Sequence, residues 1–221
     1  MRTSATAMKA KDMVDEMRPN YEFDYSKGVR GKYFEQLLKD SGRKLAVPGE
    51  GPAPVELMFI GEGPGFHENE QGRPFVGAAG KFLEQLLASI GLTRAQVYIT
   101  NVVKCRPPGN RDPMPDEIAA CSAYLEEQIG TLNPRLIVTL GRFSMARWFQ
   151  GESISRVHGQ PRKFAELWVF PCFHPAAALH QEKFRALIEA DFLKIPDILA
   201  QIGPVQGPEP VEEPPQQLAL F

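Results

Sequence analysis

Short apolar runs alternate along the middle of the chain with stretches whose apolar residues recur every three or four positions. The runs "VELMFI" (55–60), "QVYITNVV" (96–103), "RLIVTLG" (135–141) and "ELWVFPCF" (166–173) are too short for helices and are mostly apolar. Each therefore predicts a strand, the first of them buried. Between them, "AAGKFLEQLLASIGL" (78–92) has helical spacing and ends at Gly91. The segment "PMPDEIAACSAYLEEQIGTL" (113–132) predicts a second helix, with Asp116 and Glu117 in the first turn, where the helix dipole favours acids. A short helix is expected over "RFSMARWFQG" (142–151), and a long final one from Gln181 to Ile202. This alternation predicts a three-layer α/β/α domain over 46–202, with a central, mainly parallel four-stranded sheet.

The flanks have a different texture. Residues 1–45 are polar and charged, with helical spacing in "SATAMKAKDMVDEM" and "GKYFEQLLKDSG", and predict a helical extension. Residues 203–221, "GPVQGPEPVEEPPQQLALF", are rich in Pro and Glu and lack Lys and Arg, a composition that predicts a disordered or extended tail. At 221 residues with 43% apolar content, the chain can bury one substantial core. A formal net charge of −2 means that contact with nucleic acid must come from a local basic patch. Three cysteines without framework spacing or a secretory signal point to a reducing, cytoplasmic setting, and no apolar run is long enough to span a bilayer.

In parallel sheets, sites form in the loops that leave the carboxyl ends of the strands. The least ordinary sequence falls in those loops: "GEGPGFHENEQGRPFVG", "NVVKCRPPGNR" and "HPAAALH". The glycine loop lacks the Lys and Ser/Thr of a P-loop and fails the dinucleotide spacing, so it gives little support to nucleotide binding. "SRVHGQPRKF" (155–164) reads as a hairpin before the fourth strand, with His158 on the surface.

Taken together, "GEGPG…E…GRPFVG", "ITNVVKCRPPGNR", "EIAAC", "LIVTLGR" and "FHPAAAL" resemble the family 4, or thermophile-type, uracil-DNA glycosylases over roughly residues 46–195. The resemblance implies an enzyme that hydrolyses the N-glycosidic bond of deoxyuridine in base-excision repair. Such an enzyme must extrude the nucleotide into a pocket. By the resemblance, Phe75 stacks on the base and Asn101 reads uracil, while Gly63 belongs to the same pocket signature. His174 is the catalytic histidine, donating to O2 as charge builds there. Glu62 is the preferred carboxylate beside the sugar and water, with Glu68 second. Arg106 and Arg111, together with Arg142, Arg156 and Arg162, are candidate phosphate contacts. Leu179 is a candidate wedge for the vacated base position. Two other readings stay open: a glycosylase for another deaminated base such as hypoxanthine or xanthine, and an inactive DNA- or clamp-binding adaptor.

Family members typically hold a [4Fe–4S] cluster on four cysteines. Cys105 and Cys121 match two of these positions, but the N-terminal stretch that would supply the other pair contains neither cysteine nor histidine. No cluster is therefore expected within one chain. Residues 217–221, "QLALF", resemble the pentapeptide that binds the bacterial sliding clamp, with Gln217 at the rim of the groove and Leu218, Leu220 and Phe221 filling it. The expected partners are uracil-containing DNA and the clamp, with no membrane, for a monomer.

Overall fold

The structure is a computed structural model that describes residues 46–203. The extension over 1–45 and the tail with Gln217, Leu218, Leu220 and Phe221 lie outside the described residues. All four expected strands form within two residues of their predicted ends, as β1 (Leu57–Gly61), β2 (Tyr98–Asn101), β3 (Leu136–Leu140) and β5 (Leu167–Cys172). They pair in parallel in the order β2-β1-β3-β5. A fifth strand, β4 (Arg162–Phe164), joins β5 antiparallel at the edge, so the sheet has five strands rather than the expected four. The expected hairpin over 155–164 is instead a turn of helix followed by this edge strand. The hairpin closes one element later, between β4 and β5, where Ala165 takes φ 52°.

The helices are α1 (Phe66–Gln71), α2 (Ala78–Ser89), α3 (Pro115–Leu132), α4 (Arg142–Met145), α5 (Ile154–Val157), α6 (Pro175–His180), α7 (Glu182–Phe192) and α8 (Ile195–Ile202). Gly91, with φ 73°, follows the end of α2 in the left-handed conformation that a helix exit uses. The single final helix expected over 181–202 is in fact two, α7 and α8. Pro196 sits in the first turn of α8, where its missing N–H costs no hydrogen bond.

Alternating strand residues divide the core between the two faces of the sheet. Leu57, Phe59, Ile99, Val138 and Phe170 pack with Phe82, Leu83, Leu86 and Leu87 of α2 and with Ile188 and Phe192 of α7. Met58, Ile60 and Ile137 face the other way, against Leu125 and Leu132 of α3. Burial on both faces explains why β1 and β3 are apolar without alternation. Among the described residues, no helix is long and apolar enough to cross a membrane. The parallel strands end at Gly61, Asn101, Leu140 and Cys172, and the informative loops depart from that edge.

Candidate active site at the carboxyl ends of the strands

Asn101 closes β2 directly opposite Gly61, the last residue of β1. It is 2% exposed, and its side-chain Oδ1 is buried with no hydrogen-bond partner among the described residues. Leaving such an acceptor unpaired costs about 1–3 kcal/mol, so it is kept only where something else supplies the donor. A Cβ at Gly61 would collide with this Oδ1 and with the Phe75 ring, so the glycine lets amide and ring approach one another.

Phe75 adopts φ 52°, a conformation that costs a bulky side chain about 1–3 kcal/mol. Three groups hold it there. Arg94 donates from one guanidinium nitrogen to the Phe75 carbonyl at 2.9 Å and from another to the Pro74 carbonyl. One oxygen of the Glu68 carboxylate accepts the Val76 and Gly77 N–H groups, both at 2.9 Å. Gly80 in α2 lacks the Cβ that would strike the Phe75 carbonyl. Glu68 thus shapes the loop that carries Phe75. Arg94, which the sequence reading did not single out, acts on the same loop. The preceding "GLT" offers no local signal for that role, because the partners of Arg94 lie 19, 20 and 44 positions away.

The Phe75 ring lies 5.5 Å from the imidazole of His174, centroid to centroid, with 25° between the planes. His174 caps α6, and its Nδ1 accepts the Ala176 N–H at 3.1 Å. With Nδ1 accepting, the proton resides on Nε2, which is left as a donor. Burial of the ring lowers its pKa from 6.5 to about 4, so it is neutral at physiological pH. Glu62 follows Gly61, and its Oε1 accepts the Phe143 N–H at 3.1 Å at the start of α4. Burial raises its carboxyl pKa against the pull of those amides. Gly141, with φ 100°, leaves room for this carboxylate, because a Cβ there would overlap it. Gly63 packs the glycine loop onto Val103 and Pro107. Leu179, at the end of α6, is 47% exposed.

A sequence model of the Uracil DNA glycosylase superfamily matches residues 48–194. The chain belongs to that superfamily. The type-4 uracil-DNA glycosylase of Sulfurisphaera tokodaii is 54% identical over 166 residues, covering 71% of this chain and 76% of the relative. That of Thermotoga maritima is 42% identical over 166 residues, covering 73% and 86%. The type-5 uracil-DNA glycosylase of Thermus thermophilus is 38% identical over 114 residues, covering 45% and 52%.

The cysteines do not fit the four-thiolate cluster expected of this branch. Cys121 is half-buried against the α3 face of the sheet, accepting the Lys104 N–H at 3.4 Å, and Cys105 is half-buried in the loop after β2. Cys172 is fully buried in the core on the opposite face, where burial raises its thiol pKa well above normal. The chain has no fourth cysteine. Among the described residues, no three His, Cys, Asp or Glu side chains converge as a metal site.

Several of the arginines considered as phosphate contacts are already engaged. Arg111 pairs with Glu117 at 2.8 Å, Arg142 with Asp112, and Arg162 with Glu152 at 2.5 Å. Arg106 lies over the exposed Phe66 ring at 5.3 Å and donates to Asn110 at 2.6 Å. His158 is not the surface residue expected from sequence. Its Nδ1 is 2.7 Å from the buried Asp191 carboxylate, and its ring packs on Phe173 at 4.6 Å. The cause is tertiary: α7 brings Asp191 across to it from 33 positions away.

Proposed function

We propose that this protein is a uracil-DNA glycosylase that hydrolyses the N-glycosidic bond of deoxyuridine to leave an abasic site in base-excision repair. The observation that carries the reading is the orphaned Oδ1 of Asn101. Uracil offers N3–H to that oxygen and O4 to the amide nitrogen. Cytosine has an acceptor at N3 and a donor at C4, so it would leave both groups mispaired, and buried mispairing discriminates strongly. Phe75 supplies the face on which the extruded base stacks.

As the C1′–N1 bond breaks, its electron pair passes to the base and negative charge gathers on O2. The Nε2–H of neutral His174 donates to that oxygen without giving up its proton. A preorganised donor of this kind contributes about 2.7–4 kcal/mol to transition-state stabilisation. Glu62 stabilises the cationic sugar and orients the water that adds to C1′, accepting the proton that this water loses. Glu68 supports the Phe75 loop rather than the chemistry, and Gly63 keeps the glycine loop tight against the mouth. Leu179 fills the vacated position in the duplex, while Arg106 and Arg111 contact phosphates, Arg111 after exchanging Glu117 for DNA. No step passes through a cluster, and Cys105 and Cys121 serve as packing residues.

The decisive experiment measures excision from single- and double-stranded oligonucleotides bearing uracil, hypoxanthine or xanthine, with a His174→Ala control. Uracil release that the control loses is expected. Release of hypoxanthine or xanthine alone would assign another base, and no release at all would favour a non-enzymatic adaptor.

The catalytic domain over 46–202 acts as a cytoplasmic monomer. It is recruited to the sliding clamp through Gln217, Leu218, Leu220 and Phe221, on a tether reaching about 3.1 Å per residue if fully extended as polyproline II. Deleting residues 217–221 should abolish clamp binding and leave excision from short oligonucleotides intact. Unchanged clamp affinity would reject that part.

A further inference from the structure

We propose that Arg94 is a positioning residue for the base-stacking ring, its guanidinium holding the Pro74–Phe75 backbone in the conformation that aims Phe75 at His174. The inference rests on the reading of Phe75 as the stacking residue.

Arg94 stands in the turn Arg94–Gln96 just before β2, anchored by a capping box between Thr93 and Gln96. Its side chain is only 14% exposed. All three guanidinium nitrogens are in use: Nε donates to Glu50 at 3.0 Å, and the other two donate to the Phe75 and Pro74 carbonyls. A planar fork can reach two successive carbonyls and a carboxylate together, which a point-charge ammonium cannot. Glu50 is itself fixed by two bonds from Arg73, both at 2.7 Å, and these bonds hold its carboxyl pKa down to about 2. The anchor of Arg94 is therefore ionised at neutral pH.

Phe75 is a place where such a device has work to do. Aromatic side chains do not choose φ 52° unaided. The carbonyls up to Phe75 are gripped by the Arg94 cation, and the amides just beyond it by the Glu68 anion. One charge clamps each side, and the ring projects between them to 5.5 Å from His174. Arg94 supplies none of the chemistry. It sets where the stacking face lies.

A double-mutant cycle tests this, using Arg94→Met, Phe75→Ala and the combination in the full chain. Arg94→Met should lower kcat/KM for uracil excision by about 10–100-fold, the scale of a displaced positioning group. In the Phe75→Ala background it should change the rate by no more than about twofold. Arg94→Lys keeps a cation beside Glu50 but not the fork, so it should restore thermal stability without restoring rate. If Arg94→Met fails to fold, Arg94→Lys takes its place in the cycle. Losses that multiply independently of Phe75 would overturn the proposal.

A second measurement does not depend on any activity. The upfield ring-current shift of the His174 ring protons by Phe75 should collapse in the Arg94 variant to its Phe75→Ala value. An unchanged shift refutes the positioning role. Wild-type protein that leaves uracil in place, together with the collapse in the Arg94 variant, would instead refute the assigned reaction and keep Arg94 as the residue that positions Phe75.

Discussion

Asn101 and Lys104 stand three positions apart at the end of β2, and the two buried polar side chains meet their burial in opposite ways. Lys104 is 7% exposed, and its Nζ donates to Thr100 Oγ1 at 2.7 Å, to the Asn101 carbonyl at 2.8 Å and to Gln128 Oε1 at 2.7 Å. Burial pulls its pKa down to about 7. Gln128 passes the connection on to the Pro48 carbonyl at 2.6 Å, so the network ties residues 47–50, β2 and α3 together. Asn101 Oδ1 has no partner among the described residues. Arg135 Nε and Thr139 Oγ1 are also buried without a partner, but among these atoms Asn101 Oδ1 is the one held against the Phe75 ring at the carboxyl ends of the strands. The contrast separates what holds the site from what the site holds.

The strongest attempt to break that contrast is Asn101→Ala. Losing the reader should reduce kcat/KM for uracil by about 10²–10³-fold. The melting temperature should hold or rise, because no internal bond at Oδ1 is lost. A large fall in melting temperature would make Asn101 a scaffold residue after all.

His174 is the intermediate case, satisfied at Nδ1 and open at Nε2. Its folded pKa of about 4 lies below the 6.5 of an exposed imidazole. The unfolded chain therefore binds the extra proton first as pH falls. Stability on this account is intact above pH 6.5 and is lost as pH falls toward 4, by on the order of 3 kcal/mol in all. Denaturant titrations at neutral and acid pH should show a smaller acid loss in His174→Asn than in wild type. Equal losses would mean that the ring is not buried neutral.

Lys104→Met is the converse of Asn101→Ala. It strips the donor from Gln128 and from the Asn101 carbonyl, and should cost about 1–3 kcal/mol of stability in urea denaturation. Unchanged stability would remove Lys104 from the scaffold. A smaller effect is expected at the rim, where Leu179→Ala should slow excision from duplex about tenfold and from single strands much less, since only the duplex leaves a gap to fill. Equal slowing on both would assign Leu179 to the pocket. Smallest of all, Cys105→Ser and Cys121→Ser should each shift stability by about 0.5 kcal/mol or less. Iron and acid-labile sulfide should be absent from anaerobically purified protein, and a full four-iron complement would overturn the packing role.

β1 and β3 were the most legible strands, because burial on both faces writes itself as consecutive apolar residues. β4 was not, since Arg162, Lys163 and Phe164 are too few to show alternation and only pairing with β5 makes them a strand. The six residues of α6 begin at Pro175 and carry too few periodic positions to declare a helix, although His174 was picked out from its loop. Asn101, Phe75, His174 and Glu62 belong to contiguous motifs, and the fold brings them to one edge. Arg94 and His158 take their meaning from partners 19 to 44 positions away, and Lys104 needs Gln128, 24 positions on, to complete its network; such pairings leave no local trace.

Among the described residues, each edge of the sheet carries a feature that interrupts its outer ladder. Along β2, the Glu50 N–H donates to the Ile99 carbonyl at 2.9 Å and the Ile99 N–H to the Glu50 carbonyl at 2.8 Å, so an isolated bridge occupies the outer side of the strand at Ile99. At the other margin, β4 is three residues long and carries Arg162 and Lys163, a length and charge that discourage strand addition. Glu50 thereby does a second service: the residue that anchors Arg94 also helps to keep one copy of the protein from templating on the next.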